Sequence, residues 1–458
     1  MAGSMAGFLD HHLACPSKAE LRERFVGKKL RDVGTPAAIV DRFVVQRNCN
    51  QLLAAVESLQ IGFRPHVKTH KTVEVAQKQV CSTANEVKFV VSTLAEAQHL
   101  LPFLQKSRQE GKSVNVYKLA DLGKELGPGS VSALVDDVAQ LSSFSIFKEI
   151  TGHPLQTFIK VDTGSHRAGL PTETAGFQDL VQAVFILESR GLGSLVGFYS
   201  YAGHSYQESS SISAMKLLCT EIEGLENAAA KANLHRPSNR TIHNFVLSVG
   251  ATPTATSVEY LAGDDVEPTV QRLRNLLQRN RQEYCIELHA GVYPFLDLQQ
   301  LATHASPSAV ANDEIPRNSI TLADVALSIL VEVASVYKNR NRPEALIAAG
   351  TLALGREPCK SYDGWGIVSD WGMETSTSAG QSGWKVGRIS QEHGILTEHS
   401  ESNQSTSAPL RVGQKLRIWP NHACVASAGF SWYLLVDSSL PEDRWDEIVG
   451  IWVRCRGW

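Results

Sequence analysis

Between residues 37 and 300, short runs of β-branched and apolar residues alternate with longer stretches of helical periodicity. Strands are predicted at 36–40 (PAAIV), 88–92 (KFVVS), 157–161 (TFIKV), 195–199 (LVGFY), 244–248 (NFVLS) and 287–289 (ELH). Helices are predicted over 44–58, 93–110 and 174–190; Asn48, Leu52, Leu53, Val56 and Leu59 fall on one face of the first. Repeated β-then-α units imply a parallel sheet with right-handed crossovers. The pattern alone leaves an open sheet and a closed barrel as alternatives.

The texture changes after about residue 315. Leu327 to Tyr337 alternates with period two, and short β-like runs follow at 345–350, 387–389 and 415–419, separated by Gly, Ser, Asn and Pro clusters. This predicts a compact all-β domain. The stretch 398–407 (EHSESNQSTS) reads as an exposed loop.

Composition then narrows the classes. The 458 residues are 43% hydrophobic and 20% charged with a net charge of −3, as in a globular protein without a global attraction to nucleic acid or membrane surfaces. No apolar run approaches the ~20 residues of a membrane span, and residues 1–5 show no secretory signal pattern. The eight cysteines, at 15, 49, 81, 219, 285, 359, 424 and 455, form no close pairs, which fits a reducing compartment and predicts a cytoplasmic protein.

Candidate chemistry centres on Phe63-Arg64-Pro65-His66-Val67-Lys68-Thr69-His70-Lys71-Thr72, which follows an apolar run and meets no acid until Glu74. Like charges at a strand end repel unless an anion sits there. A lysine among cations has a lowered pKa, which frees its amine to attack a carbonyl carbon. The other reading is a basic turn. Gly250 with Thr252, and Gly291 with Val292, follow predicted strands and could turn backbone N–H groups towards a phosphate, or simply make turns. His422 and Cys424 would share a face on an extended segment, and imidazole with thiolate favours zinc. By itself, His-x-Cys is common by chance.

Five sets of segments in order add a resemblance. They are the lysine segment; Lys160-Val161-Asp162-Thr163-Gly164-Ser165-His166-Arg167-Ala168-Gly169; Gly197 to Tyr206 (GFYSYAGHSY); Ser248 to Thr254 (SVGATPT) with His289 to Tyr293 (HAGVY); and Pro420 to Cys424 (PNHAC), preceded by Ser390 to Gly394. Together they resemble the pyridoxal-phosphate enzymes of the D-serine dehydratase and D-threonine aldolase group, relatives of alanine racemase. The resemblance implies an α/β fold: a (β/α)8 TIM-type barrel over 36–312, followed by a C-terminal all-β domain over 313–458. Residues 1–35 would pack with that β domain.

It further implies pyridoxal 5′-phosphate on Lys68, with Lys71 as the second choice. Arg167 would face the ring's phenolic oxygen, with Tyr199 and Tyr206 near the ring or phosphate. Gly250, Thr252, Gly291 and Val292 would hold the phosphate, and Zn2+ would sit on His422 and Cys424. His289 stands where racemases carry an arginine against the ring nitrogen. The implied function is a lyase acting on a D-β-hydroxy amino acid, foremost D-serine to pyruvate and ammonia, in a homodimer. Retro-aldol cleavage, a bulkier 3-hydroxy-D-amino acid and non-catalytic cofactor binding are the alternatives. Cys424 favours elimination, because the aldolases carry His-x-Asp there. Leu352 stands where bacterial relatives carry a lysine, and 362–366 and 370–372 are lineage-specific; at the mouth of the site they would suit a larger substrate.

Overall fold

In a computed structural model, which describes residues 16–80, 85–117, 120–236, 244–262, 266–280, 283–308, 319–373, 381–399 and 407–457, the chain forms two sheets. Its first strand, β1 (Ala37–Asp41), is followed by eight parallel strands that alternate with helices. These are β2 (Gly62–Phe63), β3 (Glu86–Phe89), β4 (Ser113–Tyr117), β5 (Val131–Val135), β6 (Leu155–Lys160), β7 (Gly193–Tyr199), β8 (Val246–Val249) and β9 (Cys285–Leu288). They lie in the order β2-β9-β8-β7-β6-β5-β4-β3. Just beyond β2 the ends of this sheet meet: Val67 N–H donates to the Val90 carbonyl at 3.2 Å, and Val90 N–H to the Pro65 carbonyl at 2.9 Å. The sheet is a barrel. Its outer helices are started by side-chain caps, Asp41 for Arg42–Ser58, Thr93 for Leu94–Gln109 and Thr174 for Ala175–Ser189, each accepting from a first-turn N–H. Such caps contribute about 1 kcal/mol each.

The second sheet contains β10 (Leu327–Tyr337), β11 (Glu344–Ile347), β12 (Ile367–Ser369), β13 (Gln381–Ile389), β14 (Gly394–Glu398), β15 (Lys415–Trp419), β16 (Trp432–Val436) and β17 (Gly450–Val453). The order is β11-β14-β13-β12-β15-β10-β1-β16-β17, and a further β10–β11 pairing closes β10 to β15 into a small barrel.

The strand expected at 36–40 therefore forms, but in the other sheet. It pairs antiparallel with β10 and parallel with β16. Ala38, Ile39 and Val40 are all buried, so β1 reads like any strand covered on both faces, and periodicity cannot say which sheet it joins. The barrel instead opens at β2, a two-residue strand too short for any pattern to register. The segment ahead of β1 packs on the β domain: Leu21, Leu30 and Val33 share a buried cluster with Leu330, Leu434, Ile448 and Ile451. Of the polar stretch 398–407, residues 400–406 lie outside the described residues.

Candidate active site

The lysine loop leaves β2 at the C-terminal rim of the barrel, where parallel barrels carry their chemistry. Its cations are not left facing one another. Arg64 is buried against Glu287, Nε to Oε1 at 2.6 Å, and Lys71 Nζ lies 3.1 Å from the buried Glu96. The acids missing from the local sequence arrive from β9 and from the helix after β3. The local absence of acid is thus made good by carboxylates distant in sequence. His70 is fully buried and held to Gln79 (3.0 Å) and Thr72 (3.2 Å). Burial drives its pKa down to about 3, so it is a neutral anchor of the loop rather than an acid or base. Lys68 reaches the other way, its Nζ 5.6 Å from the centre of the Tyr201 ring.

Lys68, Arg167, Tyr199, Tyr206, Thr252, Gly291, Val292, His422 and Cys424 all line one cavity of ≈ 590 Å³. Gly250 does not. Its N–H donates to the buried Glu221 at 3.3 Å, and at φ +134° a Cβ there would lie 2.6 Å from the His289 carbonyl oxygen. Close backbone approach behind the cavity is thus enough to require a glycine at 250. The N–H groups of Gly291 and Val292 converge on Thr252 Oγ1 at 3.4 and 3.2 Å, a small-residue cradle with two donors and a hydroxyl. Tyr206 joins it through a hydrogen bond to Thr252, and burial holds its phenol well above the ordinary range.

Tyr199 and His289 stack with ring centres 4.2 Å apart and planes 6° apart. Behind them a polar relay fixes the imidazole. Glu287 is held ionised by Arg64 and Lys88 despite its burial. The Ser248 hydroxyl therefore donates to Glu287 (3.1 Å), and its oxygen accepts from His289 Nδ1–H at 3.1 Å. That assignment leaves Nε2 unprotonated, and it is a buried nitrogen without a hydrogen-bond partner in the cavity wall. Burial lowers the His289 pKa to about 3.

The opposite wall comes from the β domain. His422 is the residue before the short helix Ala423–Ala428, so Cys424 is helical and the pair does not lie on one extended segment. The side chains nonetheless meet. Burial opposes charge on His422, yet a hydrogen bond to Cys424 and the nearby carboxylates of Asp297 and Glu357 push its pKa up to about 9. Cys424 Sγ lies 3.0 Å from Thr69 Oγ1 of the lysine loop. Among the described residues no third His, Cys, Asp or Glu joins the pair as a metal-holding group. An imidazole beside a thiol in a cavity wall fits a zinc ion that keeps positions open.

Several lining residues were not singled out from sequence. Lys160 and Tyr201 lie inside quoted segments, and Arg167 and Lys68 flank the Tyr201 ring at 5.3 and 5.6 Å. Gln299 and Glu357 carry no local signal. Asp297 acts from behind: it caps Leu298–Thr303, and its Oδ2 accepts from Ala423 N–H at 2.8 Å, which seats the His422 turn on the barrel.

Comparison with known proteins shows the family. A family model described as "Alanine racemase, N-terminal domain" matches residues 40–268, and one described as "Putative serine dehydratase domain" matches 326–436. The chain is 33% identical to the D-serine dehydratase of Schizosaccharomyces pombe, with 100% of both chains covered. It is 30% identical to that of Saccharomyces cerevisiae, over 93% of this chain and 100% of the relative. Among solved structures, D-threo-3-hydroxyaspartate dehydratase from Delftia sp. HT23 superposes with a TM-score of 0.66 at 26% identity, covering 94% and 100% of the two chains. A cysteine-to-alanine variant of that dehydratase, solved in the metal-free form, gives 0.67 at 26% identity over the same shares.

Proposed function

The chain belongs to the D-serine dehydratase family, and we propose from its own site that it converts D-serine to pyruvate and ammonia. The observation that carries this reading is that Lys68 from the barrel and the His422–Cys424 pair from the β domain open onto one cavity. Pyridoxal phosphate fits the residues present: Lys68 to carry it, Gly291, Val292, Thr252 and Tyr206 to bind its phosphate, Arg167 its phenolic oxygen, and His289 Nε2 its ring nitrogen. When bound, the cofactor supplies a sink for the electron pair left at the α-carbon, and zinc supplies a Lewis acid for the β-hydroxyl.

The chain's own groups do the rest. Lys68 Nζ would take the α-proton, and His422 and Cys424 would hold zinc, whose Lewis acidity would help the β-hydroxyl leave as water; the stacked Tyr199 and His289 line the same cavity. The enamine released hydrolyses to pyruvate and ammonia. Retro-aldol cleavage would use the same cofactor residues, and the thiol at 424 favours elimination. We further propose, from the family resemblance, a cytoplasmic homodimer with a TIM-type barrel. Incubation with D-serine, pyridoxal phosphate and zinc is expected to give keto acid and ammonia in equal amounts. Glycine from D-threonine with no keto acid from D-serine would reverse the choice, and neither product would overturn the assignment.

A further inference from the structure

Three successive residues after Lys68 are each fastened to the β domain. Thr69 Oγ1 meets Cys424 Sγ at 3.0 Å. The His70 carbonyl accepts from Arg454 Nε–H at 3.2 Å and from the Tyr433 hydroxyl at 3.3 Å. The Lys71 carbonyl accepts from Cys455 N–H at 2.8 Å. Arg454 is the centre of this seam. It is buried, its guanidinium lies 5.5 Å from the Tyr433 ring centre, and no carboxylate among the described residues pairs with it. Its remaining bonds, from Nη1, go to the carbonyls of Ser427 and of Phe430, the latter at 2.8 Å.

A buried cation without a counter-ion is costly, and oriented carbonyls at a helix C-terminus are among the few groups that offset the cost. Ser427 belongs to the last turn of Ala423–Ala428, the helix that carries Cys424. One rigid, planar group thus holds the exit of the lysine loop and the end of the metal-bearing helix at a fixed separation. A flexible ammonium could not reproduce that fork. We propose that Arg454 is a positioning residue that sets the distance between Lys68 and the His422–Cys424 pair. The inference rests on the reading of that pair as a zinc site.

Arg454→Met and Arg454→Lys, prepared with cofactor and zinc, test it. Leu434→Ala, on the opposite face of β16 from Tyr433 and in a separate cluster, serves as a control for lost stability. Zinc affinity is read by competition with a chromogenic chelator, cofactor retention by absorbance, and kcat and KM with D-serine. Arg454→Met is expected to bind zinc at least about ten-fold more weakly and to lose kcat by a similar factor, the usual effect of removing a group that orients a metal ligand. KM should move less, and Arg454→Lys should recover only part of the loss. Zinc affinity within about two-fold of wild type in Arg454→Met overturns the proposal. So does an equal loss of zinc in Leu434→Ala at a matched melting temperature. If Arg454→Met does not fold, Arg454→Lys decides on the same readings. A wild type that binds no zinc overturns the metal reading instead. Arg454 is then judged on cofactor retention, and unchanged retention in the variants overturns it.

Discussion

At the scale of single residues, the lysine segment was legible because its chemistry is local. Lys68 needs only to leave a strand end and face the cavity. Its substitution by alanine should abolish the absorption band of covalently attached cofactor and lower kcat by about 10²–10⁴-fold, the share of a positioned proton-transfer group. A full band in Lys68→Ala would move the assignment to Lys71. The electrostatics of the segment were not legible, since Glu287 and Glu96 reach it only through the fold. His70 shows the same limit: sequence could not say that it faces inward. With its folded pKa at about 3, below the ordinary histidine value of 6.5, the unfolded chain takes up a proton that the native one refuses. Stability from this group is therefore complete above 6.5 and falls as pH drops towards 3. The loss is up to about 1.4 kcal/mol per pH unit. Urea midpoints of wild type and His70→Gln, compared at pH 6.5 and 4.5, should show the wild type losing more; equal losses would remove His70 from the account.

At the scale of elements, strong periodicity carried the reading and short elements escaped it. The alternation at 327–337 is β10 over its whole length, and 415–419 is β15. No strand was expected at β2, with two residues, at β4 and β5, with five each, or at β12, β14, β16 and β17 of the other sheet. The extended segment that would give His422 and Cys424 a common face does not form: the chain turns helical at Ala423, whose N–H is taken by Asp297, 126 positions away. Asp297 starts one helix with Oδ1, which accepts from Gln300 N–H, and steadies the start of another with Oδ2. Asp297→Asn keeps one acceptor and puts an N–H donor against either Gln300 N–H or Ala423 N–H. It should cost about 1 kcal/mol in thermal or chemical unfolding and weaken zinc binding about ten-fold. A loss of stability with zinc affinity intact would confine Asp297 to capping.

At the scale of the whole molecule, the two sheets are neither consecutive in sequence nor independent in space. β1 precedes the barrel yet lies between β10 and β16, so the β domain cannot complete its sheet without chain from both sides of the barrel. The active site lies on the same seam, with Thr69 touching Cys424 and Lys71 bonded to Cys455. Such wiring makes separate unfolding of the two parts costly, because either one opening alone strands buried carbonyls and Arg454. The sequence supplies its own probes for this. All eight tryptophans lie at 365 or beyond, whereas the long helices lie between Arg42 and Asn280. Tryptophan fluorescence therefore reports the β domain and far-ultraviolet helix signal reports the barrel. The two melting curves should coincide in wild type. They should separate in Arg454→Met if the seam is what couples them, with fluorescence changing at the lower temperature. Curves already separate in the wild type would show two parts that fold on their own, and the coupling drawn from the seam would have to be abandoned.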